Sequence, residues 1–201
     1  MAKHMPADER KKMILEAAMM VFCEKGYNHS SIDDIAKEAG ISKGGIYWHF
    51  KNKDDLVKSL FSFWLDAQLQ EFQNASPGSA TFLDTLLTML TQPFDLPEEN
   101  LKITRLMMEF YAHSAHIDGL IEIFNDYYKV VADELTKYID HSIEQGELSK
   151  DLKHTHDISI LIALIFDGLF ARLYLDSLTK EKSFENHKES LKQLLTRWLK
   201  A

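Results

Sequence analysis

The sequence predicts an all-α protein on three observations. Its 201 residues include only 4 Pro and 8 Gly, whereas strong helix formers such as Leu, Lys, Glu, Ala and Met are abundant. Apolar residues recur at intervals of three and four along most of the chain, which is the period of a helix with one buried face. Short segments with Gly, Pro or Ser separate these stretches. With 45% hydrophobic and 27% charged residues, the composition is that of a globular protein.

Three short helices are expected at the start of the chain. The first runs from Asp8 to Lys25, and a second, short helix is capped by Ser30 or Ser31. Gly40 ends the second helix, and Ser42 caps a third almost at once. Two short helices around a tight glycine turn form a helix-turn-helix.

The rest of the chain is predicted to be a helical bundle. A fourth helix starts after Asn52 and continues to about Asn74 without a break. Further helices are expected at roughly 81–92, 98–114, 118–145, 154–178 and 184–200. We therefore expect a helix-turn-helix domain over residues 1–52 and a second helical domain over residues 53–201.

Charge is distributed unevenly between these parts. The net charge of −8 argues against a general nucleic-acid coat, because neutralising phosphates requires clustered Lys and Arg. Residues 1–60 carry 10 Lys and Arg against 9 Asp and Glu, whereas residues 61–201 carry 13 against 22. Only the first segment is suited to face DNA, and its small positive charge predicts a moderate salt dependence.

The cysteine content and the apolar segments indicate a cytoplasmic protein. The single Cys23 cannot form an internal disulfide, and we expect it to be inert packing. No apolar leader opens the chain. The run from Ile158 to Leu175 is interrupted by Asp167, Gly168 and Arg172, which favours a buried helix over a membrane span.

A dense motif covers the predicted helix-turn-helix. It reads Ser31-Ile32-x-x-Ile35-Ala36-x-x-Ala39-Gly40-Ile41-Ser42-x-Gly44-x-Ile46-Tyr47-x-His49-Phe50-x-Asn52-Lys53-x-x-Leu56, preceded by Ile14-Leu15-x-Ala17-Ala18 and Phe22-x-x-x-Gly26-Tyr27. Over about residues 8–60 the sequence resembles the DNA-binding signature of the TetR (tetracycline-repressor) family. Beyond residue 60 only the length, the helical layout and Asp167-Gly168-Leu169 are similar to that family.

The resemblance implies that the third helix lies in the major groove of DNA. The DNA-binding candidates are Ser31, Ser42, Lys43, Gly44, Gly45, Tyr47, Trp48, His49 and Lys53. Two adjacent glycines cost about 1 kcal/mol each in helix propensity, but they let the backbone approach base edges or phosphates closely.

Each candidate also has a structural interpretation. The two serines could be caps alone, Tyr47 could be core, Trp48 could cover the domain, and His49 could be an ordinary surface histidine. Lys43 could contact either a guanine or a phosphate.

The last two predicted helices are candidates for a homodimer interface. The helix around Ile158–Leu175 is apolar nearly all round, so it must be covered on more than one side. These helices resemble the four-helix dimer interface of the TetR family. The interface candidates are Ile165, Phe166, Gly168, Leu169, Phe170, Leu173, Leu191, Leu194, Leu195 and Trp198. The alternative is a large monomeric bundle core.

The middle helices are rich in Met and aromatic residues, most of which are core. Such side chains also adapt to lipophilic ligands. The ligand-binding candidates are Phe61, Trp64, Leu65, Met89, Met107, Phe110, Tyr111, Phe124, Tyr127 and Tyr128. We expect a small lipophilic effector with at most one charge, because polar groups are scarce on the apolar faces of these helices. Glu109 is not expected to select a cation, since Arg105 lies four residues earlier on the same helical face and would pair with it in solvent.

The sequence therefore predicts a DNA-binding transcriptional regulator: a ligand-released repressor that binds a palindromic operator as a dimer. An alternative is a regulator whose second domain docks a protein partner instead of a small molecule. The pairs His113 with His116 and His154 with His156 lack a clear third ligand, so no metal or cofactor is expected. An enzyme is not expected either, since no Gly-rich phosphate loop or nucleophile elbow occurs.

Overall fold

The computed structural model describes residues 6–74, 81–92, 101–179, 184 and 187–200, without the side chains of residues 72–74. Over these residues the chain is helical and contains no strand, which confirms the predicted all-α class. The helices are α1 Ala7–Lys25, α2 Ile32–Glu38, α3 Lys43–His49, α4 Lys53–Asn74, α5 Phe82–Thr91, α6 Leu101–His113, α7 Leu120–Glu144, α8 Thr155–Thr179 and α9 Lys188–Lys200. Their bounds agree with the expected ranges to within a few residues; residues 98–100 and 185–186 lie outside the described part.

The chain forms two compact units. The first comprises residues 1–67 together with 105–123, and the second comprises residues 68–104 together with 124–201. The boundary expected after residue 52 would divide the helix-turn-helix from the rest of the chain. The first compact unit is larger, because it also includes much of α4 and α6. That boundary stays a prediction.

The three-helix part of the first unit is shaped by caps and glycine turns. Ser31 and Asp34 form a capping box at the start of α2: each side chain accepts a hydrogen bond from the other residue's backbone N–H, at 3.1 and 2.9 Å. Gly40 has a φ of 65°, a left-handed conformation that allows the tight turn into α3. The inner faces of α1, α2 and α3 meet at Ile14, Ile35 and Ile46, all fully buried.

Aromatic packing extends this core onto α6. The ring of Phe110 makes edge-to-face contacts with Phe22 and Tyr27, at centroid distances of 5.9 and 6.0 Å. Phe22 and Phe110 are almost completely buried. The first unit is therefore more than an isolated helix-turn-helix.

The second unit has its own core, built by α5, α7, α8 and α9. Its buried members include Leu90, Ile139, Ile162, Leu195 and Leu199. Among the described residues, α8 is long and apolar enough to cross a membrane by length and composition. Only 28% of its most apolar 18-residue window is buried, with Ile162 among the buried residues, so the chain itself covers only part of the helix that the sequence predicted to be buried.

Candidate nucleic-acid interface

The recognition helix α3 is anchored by one face and exposed on the other. Ser42 caps it by accepting a hydrogen bond from the backbone N–H of Gly45 at 3.1 Å. Ile46 is fully buried and Phe50 is 1% exposed, so they fix the inner face. Because Tyr47 and Trp48 follow Ile46 directly, they turn outward and are 48% and 73% exposed. Neither ring fills the core, which leaves both free to contact a partner.

The two glycines of α3 are not required by packing inside the domain. A Cβ on Gly44 would lie 3.8 Å from the hydroxyl of Ser42, an ordinary contact. A Cβ on Gly45 would lie 3.4 Å from the side chain of Ile41, a close but tolerable distance. The absence of side chains therefore favours a close approach from outside the domain.

Lys43 is exposed and paired in the free protein. Its ammonium donates to the carboxylate of Asp33 at 2.8 Å, and this hydrogen bond raises the pKa of Lys43. Solvent screens such a surface pair, so Lys43 can exchange Asp33 for a base or a phosphate at little cost. The predicted DNA contact stays a prediction.

His49 lies partly buried beside the exposed end of α3. Its Nε2 is buried and has no hydrogen-bond partner among the residues that the structure describes. Its ring packs edge-on against Trp48 at 4.5 Å. Burial, followed by the positive charges of Arg10 and Lys11, lowers the pKa of His49, so the ring is neutral at physiological pH.

Lys53, a DNA-binding candidate from the sequence, is bound to backbone carbonyls of its own domain. Its ammonium donates to the carbonyl oxygens of Tyr27 and of Ser30, the latter at 2.8 Å. It also lies over the ring of Tyr27 at 4.1 Å. Burial lowers the pKa of Lys53. Lys53 thus fastens the turn after α1 onto α4, and only one of its three N–H donors remains for the predicted phosphate contact, which stays a prediction.

Ser31 is exposed and already serves as a cap. Its hydroxyl donates to the carboxylate of Asp34 at 2.6 Å. A hydrogen bond from Lys25, with others from Ser31, lowers the pKa of Asp34 to about 2. The capping role alone accounts for Ser31 in the free protein, and its phosphate contact stays a prediction.

The ligand-binding candidates are divided between the two units. Phe61, Trp64, Leu65, Met107, Phe110 and Tyr111 belong to the first, and Met89, Phe124, Tyr127 and Tyr128 to the second. The rings of Phe61 and Trp64 lie together at 6.0 Å, while Phe61, Leu65, Met107 and Phe110 are buried as core. Next to Met89, the second unit contains a void of about 10 Å³, space for at most one water molecule. That void is too small to be an effector cavity.

Asp167 is an ionisable group whose setting the sequence did not indicate. It is partly buried on α8, and burial raises its pKa to about 6. Burial, followed by the charge of Asp167, raises the pKa of Tyr127 on α7 to about 12. No local pattern in the sequence signals this pair, because the two residues lie on different helices.

The dimer-interface candidates fall into three groups. Leu173 and Leu195 are 4% and 0% exposed in the core of their own unit, so they cannot contact a partner chain in this conformation. Ile165, Leu169, Leu191 and Trp198 are partly buried against that core, and Phe170 is also partly buried. Phe166, Gly168 and Leu194 are exposed.

The sequence missed several other apolar residues that α8 exposes. These are Ile160, Leu161, Leu164, Leu175 and Leu178, each between 41% and 56% exposed. At 100° per residue most of them lie on the same face of α8 as Gly168. We call these five residues with Gly168 and Leu194 the outer apolar face.

An exposed, glycine-containing helix held in a helix-turn-helix, followed by a helical domain, defines a DNA-binding regulator. The model of the bacterial regulatory proteins of the tetR family matches residues 14–60, and that of the C-terminal domain of BetI-type transcriptional repressors matches residues 83–200. The chain belongs to the TetR family and is a DNA-binding transcriptional regulator, as the sequence predicted.

Relatives and solved structures agree with this assignment. The chain is 28% identical over 193 residues to the transcriptional regulator AcrR of Shigella flexneri, covering 92% of this chain and 85% of AcrR. It is 28% identical over 155 residues to the fatty acid metabolism regulator protein of Bacillus subtilis, covering 76% of each. In fold it is similar to Salmonella enterica GusR, with a TM-score of 0.77, 20% identity and coverage of 99% and 100%. It is also similar to Bacillus subtilis FadR in complex with stearoyl-CoA, with a TM-score of 0.65, 22% identity and coverage of 92% and 96%.

Proposed function

We propose that this protein is a ligand-released repressor that binds a palindromic operator as a homodimer. The observation that carries the proposal is the outward position of Tyr47 and Trp48 on α3, opposite the anchor formed by Ile46 and Phe50. An exposed aromatic pair beside two glycines offers both a close backbone approach and flat apolar contact to the groove. Since its site of action is DNA, the protein would work in the cytoplasm.

The outer apolar face supports the homodimer. Contiguous apolar surface of this kind is uncommon on monomers and marks an interaction site. At Gly168, apart from its two chain neighbours and the backbone of α8 itself, no atom of the described residues lies within 4 Å of the place a Cβ would occupy, so a partner helix can approach closely there. A two-fold axis through this face would pair it with the same face of a second chain. The two identical helix-turn-helix domains would then bind a symmetric DNA site.

The effector we propose is a small lipophilic molecule with at most one charge, bound by the second domain. One relative is named as a fatty acid metabolism regulator, and one structural neighbour was solved with stearoyl-CoA. Helix α4 runs without a break from Lys53 to Asn74, so it connects the helix-turn-helix to the second helical domain. An effector that prefers the released form by about 100-fold would shift the equilibrium by about 2.7 kcal/mol.

The test is a selection of duplexes from a random library by the purified full chain, with Tyr47→Ala as the matched variant. We expect the wild type to enrich a palindrome and the variant to enrich none. Affinity for the selected duplex is then measured with fatty-acyl, aromatic and cationic hydrophobic compounds. If no sequence is enriched, the repressor function is wrong; if a palindrome is enriched and no compound releases it, only the ligand release is wrong.

A further inference from the structure

Four cations in and beside the helix-turn-helix already have partners in the free protein. Lys25 and Lys43 are paired with aspartates, and Lys53 is bound to two backbone carbonyls. Lys12 lies 3.9 Å from Glu16. The groups named so far therefore supply little free positive charge for the DNA backbone, although phosphate neutralisation dominates DNA affinity.

Arg10, near the start of α1, is differently placed. No carboxylate pairs with it within the described residues, and it lines a surface cleft of about 410 Å³. The same cleft is lined by Gly40 in the turn and by Ser42 and Gly45 at the start of α3. A guanidinium in an open cleft at the edge of the recognition helix is well suited to bind a phosphate by two parallel hydrogen bonds.

Lys11 adds a second positive charge beside Arg10. The ammonium of Lys11 lies over the ring of Phe50 at 5.9 Å, at the end of α3. Arg10 and Lys11 are both close enough to His49 to act on its charge, and both disfavour its protonated form. Arg10 and Lys11 therefore both lie near the α3 region, Arg10 through the cleft and Lys11 through Phe50.

The spacing along α2 fits the dimensions of DNA. Ser31 precedes α2 and Ala39, another residue of the cleft, follows it. Eight residues at a rise of 1.5 Å separate the two ends by about 12 Å. The major groove is also about 12 Å wide. Ser31 and the Arg10 cleft therefore lie at opposite ends of α2, at a separation comparable with the width of the groove.

We propose that Arg10 and Lys11 form a phosphate-binding site for the DNA backbone on the α1 side of the recognition helix. The inference rests on the proposed DNA-binding function. It adds two cations to the DNA-binding surface, where the ammonium of Lys53 is turned inward onto two backbone carbonyls. Because phosphates carry no sequence information, this site contributes to affinity for every duplex equally.

The test measures affinity for the selected duplex and for an unrelated duplex over a range of salt concentrations. We expect Arg10→Gln to weaken binding to both by a similar factor and to reduce the slope of log affinity against log salt by about 0.9 per bound head. Lys11→Gln should act in the same direction. Lys12→Gln is the matched control, because Lys12 is the next residue along α1, is exposed and does not line the cleft; it should leave the slope unchanged.

Arg10→Lys, which keeps the charge, should restore most of the slope, and this rescue separates a phosphate contact from a loss of folding. The proposal is overturned if Arg10→Gln keeps the wild-type slope, or if it lowers affinity for the selected duplex alone. A wild type that binds no duplex would instead overturn the DNA-binding function itself.

Discussion

The inward position of Lys53 makes its removal costly to stability. In Lys53→Met, the carbonyls of Tyr27 and Ser30 lose a charged donor, and hydrogen bonds to charged groups contribute about 1.5–3 kcal/mol each. The contact with the ring of Tyr27 adds about 0.5–1 kcal/mol. Partial burial of the ammonium lowers the pKa of Lys53 and costs part of the stability that the hydrogen bonds and the ring contact contribute. We expect a net loss of about 2–3 kcal/mol.

Thermal unfolding by circular dichroism measures this loss. For a chain of this size, about 2–4 °C per kcal/mol converts it to a fall in Tm of about 5–10 °C. Lys51→Met is the matched control, since Lys51 is exposed and its backbone N–H, which donates to Asp55, is retained. Both variants are compared with wild type at one protein concentration. A Tm for Lys53→Met within 1 °C of wild type would refute the reasoning.

Three further substitutions test two exposed positions and one partly buried carboxyl. Tyr47→Ala should lower operator affinity at least 10-fold in a gel shift and leave Tm nearly unchanged, because the ring is 48% exposed; wild-type affinity would show that the contact is wrong. Gly168→Arg should keep its helical spectrum and give the light-scattering mass of one chain, since the position is open; a mass of two chains contradicts the interface. Burial raises the pKa of Asp167 from 3.8 to about 6, so the folded state favours the protonated carboxyl. Its contribution to the free energy of unfolding is therefore full below about pH 4 and is lost as the pH rises through about 6. Asp167→Asn should therefore be more stable than wild type at pH 7.5 by about 1–2 kcal/mol, allowing for partial exposure to water, and equal to it near pH 4; a difference independent of pH contradicts this.

The helices and the exposed face of α3 could be predicted because both depend on local pattern. Apolar spacing determines where helices form, and Ile46 with Phe50 already defines the inner side of α3. Tyr47 then has only the outer side left. The structure confirms the outward position of Tyr47, while its contact with DNA stays a prediction.

The environments of Lys53 and of α8 could not be predicted in this way. The partners of Lys53 are carbonyls 26 and 23 residues earlier in the chain, and no local pattern indicates where loop carbonyls point. Helix α8 is apolar on nearly every side, so periodicity cannot distinguish the face that its own unit covers from the outer one. The structure makes that distinction, placing Leu173 inside and Leu164 outside.

The most direct test of a symmetric, sequence-specific regulator is the affinity of the wild type for its selected duplex compared with the same duplex carrying one scrambled half-site. Both are measured at a single salt concentration, because phosphate contacts depend on salt. Two heads acting together predict a loss of at least about 100-fold when one half-site is scrambled, since each mismatched base pair costs about 1–3 kcal/mol. Equal affinity for the two duplexes would contradict the account.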